Sequence, residues 1–195
     1  AGALGALTTA SSITGVGYDA GRQVTTGGDN TFVGAYSGDA TTTGANNTAL
    51  GIHSLGTNST GAGNTALGRL ALFANTTAAD NTAVGNSCLQ YNTTGASNVA
   101  VGTGALYVNT TGGQNTALGH LALDANTTAS QNTAVGYSAL GACATTGQHT
   151  AMGHNALLVC VDGTNNTAFG SQAGAAVTSG SSNTFVGAYA GDANT

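Results

Sequence analysis

The chain has 195 residues, only 5% of them charged, and a formal net charge of −5; an ordinary globular domain is about 25% charged. Its basic residues are Arg22 and Arg69, its seven acids are all Asp, and Lys, Glu, Pro and Trp are absent. That balance argues against nucleic acid as a partner and removes most acids and bases that enzymes use. No run of about 18 apolar residues offers a membrane span, and no basic-then-apolar leader is visible.

A repeat governs the chain. The string Asn-Thr-(Ala/Phe)-(apolar)-Gly starts at Asn30, Asn47, Asn64, Asn81, Asn98, Asn115, Asn132, His149, Asn166 and Asn183, always 17 residues apart, and Ile13 extends the frame backwards. The reading is one array over 1–195 with no domain boundary: a partial coil 1–12, ten coils 13–182 and a partial coil 183–195. Seventeen residues are too few for a helical-hairpin repeat, which needs roughly 34, and Gly, Thr and Asn at this density disfavour helix. The pattern predicts an all-β parallel β-solenoid, or β-roll. Each coil has two short strands and two turns and pairs with the next at about 4.8 Å.

Positions are numbered as slots 1 to 17 from the Asn. Slot 2 is Thr except Val99, and slot 4 is always large and apolar, as at Val84, Val101, Leu118 and Val135. Slots 2 and 4 lie two residues apart on one strand, so both are expected to point inward. Slot 5 is Gly throughout, including Gly51, Gly68, Gly85, Gly102, Gly119 and Gly136; it is expected to need positive φ or close backbone approach. Slot 8 is Ala, Ser or Cys88, and slot 9 is Leu in the middle of the chain and Gly towards both ends. Slots 12 to 15 read Asn-Thr-Thr-Gly, as at 92–95 and 109–112, or variants of it in most coils, a turn signature. Four modest inward side chains per coil make a thin core for 17 ordered residues. Several parallel copies sharing an axis, a homotrimer by preference, would bury the missing apolar face.

Along the chain, Arg22 and Asp39 share slot 10 on neighbouring coils and should form an exposed ion pair. Cys88 in slot 8 reads as core filler. Cys143 and Cys160 share slot 12 one coil apart, so stacking brings their Cα atoms within disulfide range; a disulfide is one reading, two small buried residues in place of Asn the other. A zinc site from His149, His154, Cys143 and Cys160 can be drawn, but no C-x-x-C or H-x-x-x-H spacing supports it; a His column meeting itself across a symmetric trimer is the other arrangement that could bind a metal. No metal or cofactor is expected. N-x-Ser/Thr sequons at Asn46, Asn58, Asn75, Asn92, Asn109, Asn126 and Asn165 arise from the repeat itself. No two neighbouring coils carry Asp in the same slot, so the paired carboxylates of a glycoside hydrolase are not expected. Asn30-Thr-Phe-Val-Gly-Ala-Tyr returns at Asn183, an offset of 153 residues or nine coils. With both termini in mid-coil, at Ala1 and Thr195, the chain reads as a slice of a longer shaft.

Asn46-Asn47-Thr48-Ala49-Leu50-Gly51 resembles the Asn-Ser-Val-Ala-Ile-Gly motif of trimeric autotransporter adhesin heads. Asn132-Thr-Ala-Val-Gly-Tyr-Ser-Ala-Leu140, with Asn92-Thr-Thr-Gly95 as linking turn, is similar to repeats of phage and bacterial tail-fibre-like proteins. The resemblance covers nearly the whole chain, although the period is longer than in the adhesin heads. It implies a trimeric extracellular β-roll fibre, at a cell surface or on a virion, that meets a host receptor or glycan. The reading reached is a non-enzymatic structural shaft: a parallel homo-oligomer able to stack end to end as a filament, with no nucleic acid and no membrane insertion. The alternative is an ice- or glycan-binding β-solenoid module.

Overall fold

A computed structural model describes residues 2–160 and 162–192; the mid-coil ends at Ala1 and Thr195 lie outside them. Eleven strands of three residues follow one another at the 17-residue period: β1 (Thr14–Val16), β2 (Thr31–Val33), β3 (Thr48–Leu50), β4 (Thr65–Leu67), β5 (Thr82–Val84), β6 (Val99–Val101), β7 (Thr116–Leu118), β8 (Thr133–Val135), β9 (Thr150–Met152), β10 (Thr167–Phe169) and β11 (Thr184–Val186). They form one parallel sheet in chain order, each pairing with its neighbours in register, so that Ala100 faces Ala83 and Ala117. Eleven strands at about 4.8 Å make a rod of roughly 50 Å. The parallel β-solenoid is therefore the fold.

Two expectations about the coil are corrected. The first concerns the inward face. Slot 3 points in: Ala49, Ala66, Ala83, Ala100, Ala117, Ala134, Ala151 and Ala168 are fully buried. Slot 4 points out, with Leu118 41% exposed and Val84, Val101 and Val135 half-buried on the outer face beside the slot-2 Thr column. The opposite wall gives the reason. Slot-9 leucines from Leu55 to Leu157 are fully buried, and together with the small slot-8 residues they fill the interior, leaving room for a methyl group from the sheet.

The second correction is that, among the described residues, each coil has one strand, not two. The remaining wall is paired coil to coil by backbone bonds such as Leu72 N–H to the Cys88 carbonyl (3.0 Å) and Ala74 N–H to the Gln90 carbonyl (2.9 Å). Residues at slots 7 and 9 adopt the left-handed region, for example Leu121 (φ 56°) and Leu123 (φ 53°), which breaks the extended alternation of a strand. Leu in that region costs roughly 1–2 kcal/mol, offset by about 1.5–3 kcal/mol for full burial of its side chain.

The slot-5 glycine has both features expected of it. Gly136 has φ 130°, and a Cβ there would sit 2.6 Å from the Gly153 carbonyl oxygen of the next coil.

The polar interior is ordered by two asparagine ladders. In slot 1, Asn98 Oδ1 accepts the Asn115 backbone N–H (2.9 Å), and Asn98 Nδ2 donates to the Gly112 carbonyl (2.9 Å). In slot 12, Asn109 Nδ2 donates to Asn92 Oδ1 (2.8 Å) and to the same Gly112 carbonyl (2.9 Å). The two ladders thus share a column of slot-15 carbonyls. Buried amides with partners at both ends avoid the penalty of orphaned polar groups. On the surface Thr25, Thr42, Thr76, Thr93 and Thr110 each pass a hydroxyl bond to the next coil.

Candidate functional site

Two features of the described residues stand out, one outside the rod and one inside.

Outside, slots 2 and 4 run side by side along the full sheet. Val16, Leu50, Leu67, Leu118, Met152, Phe169 and Val186 are all exposed. Slot 6 adds Tyr18, Ile52 and Tyr137, also exposed, and Tyr137 stacks between His120 and His154, 5.4 Å from each ring. The result is an apolar stripe several coils long, beyond the scattered leucines of an ordinary surface. Arg22 approaches Asp39 (4.0 Å), as expected, and also Asp19 (3.8 Å). Of the seven sequons, Asn58, Asn75, Asn92, Asn109 and Asn126 are fully buried in the slot-12 ladder and closed to modification in the folded chain; Asn46 and Asn165 are exposed.

Inside, the slot-12 ladder ends at Cys143. Cys143 and Cys160 stack one coil apart, as their register requires, but as free thiols. Their sulfurs lie within 4.8 Å of each other, in the place that the asparagine amides take in the other coils. Cys143 Sγ lies 3.2 Å from Thr146 Oγ1, and Cys160 Sγ lies 3.1 Å from His149 Nε2. His149 stands in the other ladder: its backbone N–H donates to Asn132 Oδ1 (3.0 Å), and its Nδ1 accepts the Asn166 N–H (3.3 Å). His154, the fourth member of the set drawn from the sequence, is on the outer face. The hydrogen bond with Cys143 holds the Cys160 thiol down, against the effect of burial and with further help from His149. The same bond and burial push Cys143 well up. Cys88 is the contrast: burial pushes it up to about 12, and it fills slot 8 as expected.

Sequence spacing alone did not bring this cluster together. The usable signal lay in coincident departures from the repeat: slot 12 turns to Cys, slot 15 to Thr146 and slot 1 to His149 within two coils. No protein family, curated protein or solved structure compared with this chain matches it.

Proposed function

We propose that the chain is part of the structural shaft of an extracellular fibre, non-enzymatic, and assembled from parallel copies of itself, preferentially as a trimer. The observation that carries this reading is the slot-4 column. It offers an apolar residue on every coil at the rise of the coil itself, and a partner covering it along its length must have the same rise; a second copy in parallel register has it. Continuous backbone ladders supply stiffness along the axis, and Thr, Asn and Ser keep the remaining surface wet with little charge. The resemblance to adhesin heads and tail fibres supports a place at a cell surface or virion.

Sedimentation of the full chain tests the assembly. A stable oligomer should form at micromolar concentration, and Leu50→Asp with Leu118→Asp should dissociate it while the β signal in circular dichroism persists. A folded monomer in the unsubstituted chain overturns the reading.

A second reading has its own support. Slot 2 places Thr on the outer sheet face in ten of eleven strands, a regular hydroxyl array suited to ice or glycan. Freezing-point depression by the chain, lost in Thr82→Tyr with Thr116→Tyr, would favour it over the shaft.

A further inference from the structure

Four departures from the repeat meet at one point of the core. Slot 12 is Asn from Asn58 to Asn126 and Cys at 143 and 160; slot 15 is Gly or Ala in every other coil and Thr at 146; slot 1 is Asn from Asn30 onward except His149. Substitutions without a common role have no reason to converge in space. These do: Cys143, His149 and Cys160 are at most 1% exposed, and their donor atoms lie within 4.8 Å of one another.

Thr146 Oγ1 lies among them, 3.2 Å from Cys143 Sγ, 3.3 Å from His149 Nε2 and 3.8 Å from Cys160 Sγ. A further atom is left over beside the cluster. In earlier coils the slot-12 Oδ1 accepts from the Asn of the next coil, as Asn109 accepts from Asn126. Cys143 offers no amide, and Asn126 Oδ1 is buried without a partner.

We propose that Cys143, His149 and Cys160 bind one zinc-type ion, a soft four-coordinate divalent cation, in the core of the solenoid, with the Thr146 hydroxyl on the fourth side. The dimensions support it. Tetrahedral bonds of about 2.3 Å to sulfur and about 2.0 Å to nitrogen or oxygen put neighbouring donors roughly 3.3–3.8 Å apart. Four of the six separations among these donors, 3.1–3.8 Å, bracket that range, and the Cys143, His149 and Cys160 atoms all lie within 4.8 Å of one another. Two thiolates balance a divalent charge, so ion and ligands together bring no net charge into the dry interior.

The proton balance is simple. Cys143 and Cys160 enter as thiolates, their protons passing to solvent. Nε2 must be bare, so the ring proton moves to Nδ1 and the long bond from the Asn166 N–H is given up. Because the site is enclosed, the ion is taken up as the chain folds.

The test uses the full chain, unfolded with reductant and refolded with or without zinc or cobalt(II). One cobalt per chain should be retained, with thiolate-to-metal absorption and the bands of a tetrahedral site, and zinc should raise the melting temperature. Cys143→Asn with Cys160→Asn restores the ladder of the other coils, so it should fold and bind no metal. His149→Asn restores the slot-1 ladder and should weaken affinity roughly tenfold or more. The proposal is overturned if the reduced chain refolds and retains no stoichiometric metal. It is also overturned if the double variant binds as well as the unsubstituted chain, or if the two cysteines are recovered as a disulfide after refolding with metal present.

Discussion

Coils with Leu at slot 9 and coils with Gly there enclose the same core from opposite walls. In the middle of the rod, Ala100 on the sheet faces an interior filled by Leu89 and Leu106, all fully buried. Near the N-terminal end, Phe32 projects from the sheet into the space that Gly21 and Gly38 leave; a Cβ on Gly21 would sit 2.8 Å from the Phe32 ring, and one on Gly38 would also run into it. Phe185 meets Gly174 and Gly191 in the same way at the other end. Both kinds keep positive φ at slot 9, 51° at Leu106 and 58° at Gly38. The glycine coils therefore avoid the left-handed strain of a leucine and recover the lost volume with one aromatic ring. What is conserved is interior volume across the two walls, at the density close packing requires, and not the residue at either slot.

The largest effect should fall on what the two kinds of coil share. Gly34 and Gly119 have φ 130° and 142°, and a Cβ on either would meet the backbone of the next coil. Gly34→Val and Gly119→Val should each cost roughly 3 kcal/mol or more, while His120→Val, on the outer face, should stay within about 0.5 kcal/mol. Denaturant unfolding measures this. A large cost in one kind of coil only would mean that their backbones differ after all.

The exchange between walls can be tested directly. Gly38→Leu alone should overpack against Phe32 and add left-handed strain, a loss of about 3 kcal/mol, and Phe32→Ala alone should open a cavity worth about 3–5 kcal/mol. The double variant rebuilds the mid-rod arrangement and should recover at least half of the summed loss. Additive losses in that cycle would refute the compensation.

The smallest effect distinguishes two carboxyls in slot 10, Asp39 in a glycine coil and Asp124 in a leucine coil. Burial raises both above the usual 3.8, and Arg22 partly opposes it at Asp39. A raised folded value means the fold holds the proton more tightly than the unfolded chain. Each group therefore favours folding below the unfolded value and loses that contribution as pH rises through the folded one. Asp124→Asn should flatten the fall in melting temperature between acid and neutral pH. Identical slopes for variant and parent would show that Asp124 contributes nothing.

Much of this rod was legible in the sequence. An unbroken 17-residue frame with Gly at slot 5 dictates parallel in-register stacking, because only stacking puts identical short coils in equivalent surroundings. It also placed Cys143 above Cys160. The frame could not say which side of β3 to β10 faces in. Each of these three-residue strands offers Thr or Val and a large apolar residue to one side and Ala to the other, and alternation says only that slots 2 and 4 go together. The choice was made by the far wall, where the buried leucines of slot 9 leave space for a methyl group and turn Leu118 outward. Nor could spacing bring His149 beside the two thiols. Cys143, Thr146 and His149 follow one another at three-residue steps, but Cys160 reaches His149 only through the closing of the coil, by left-handed residues at slots 7, 9 and 17 such as Ser138, Leu140 and Gln148, conformations that their side chains do not advertise.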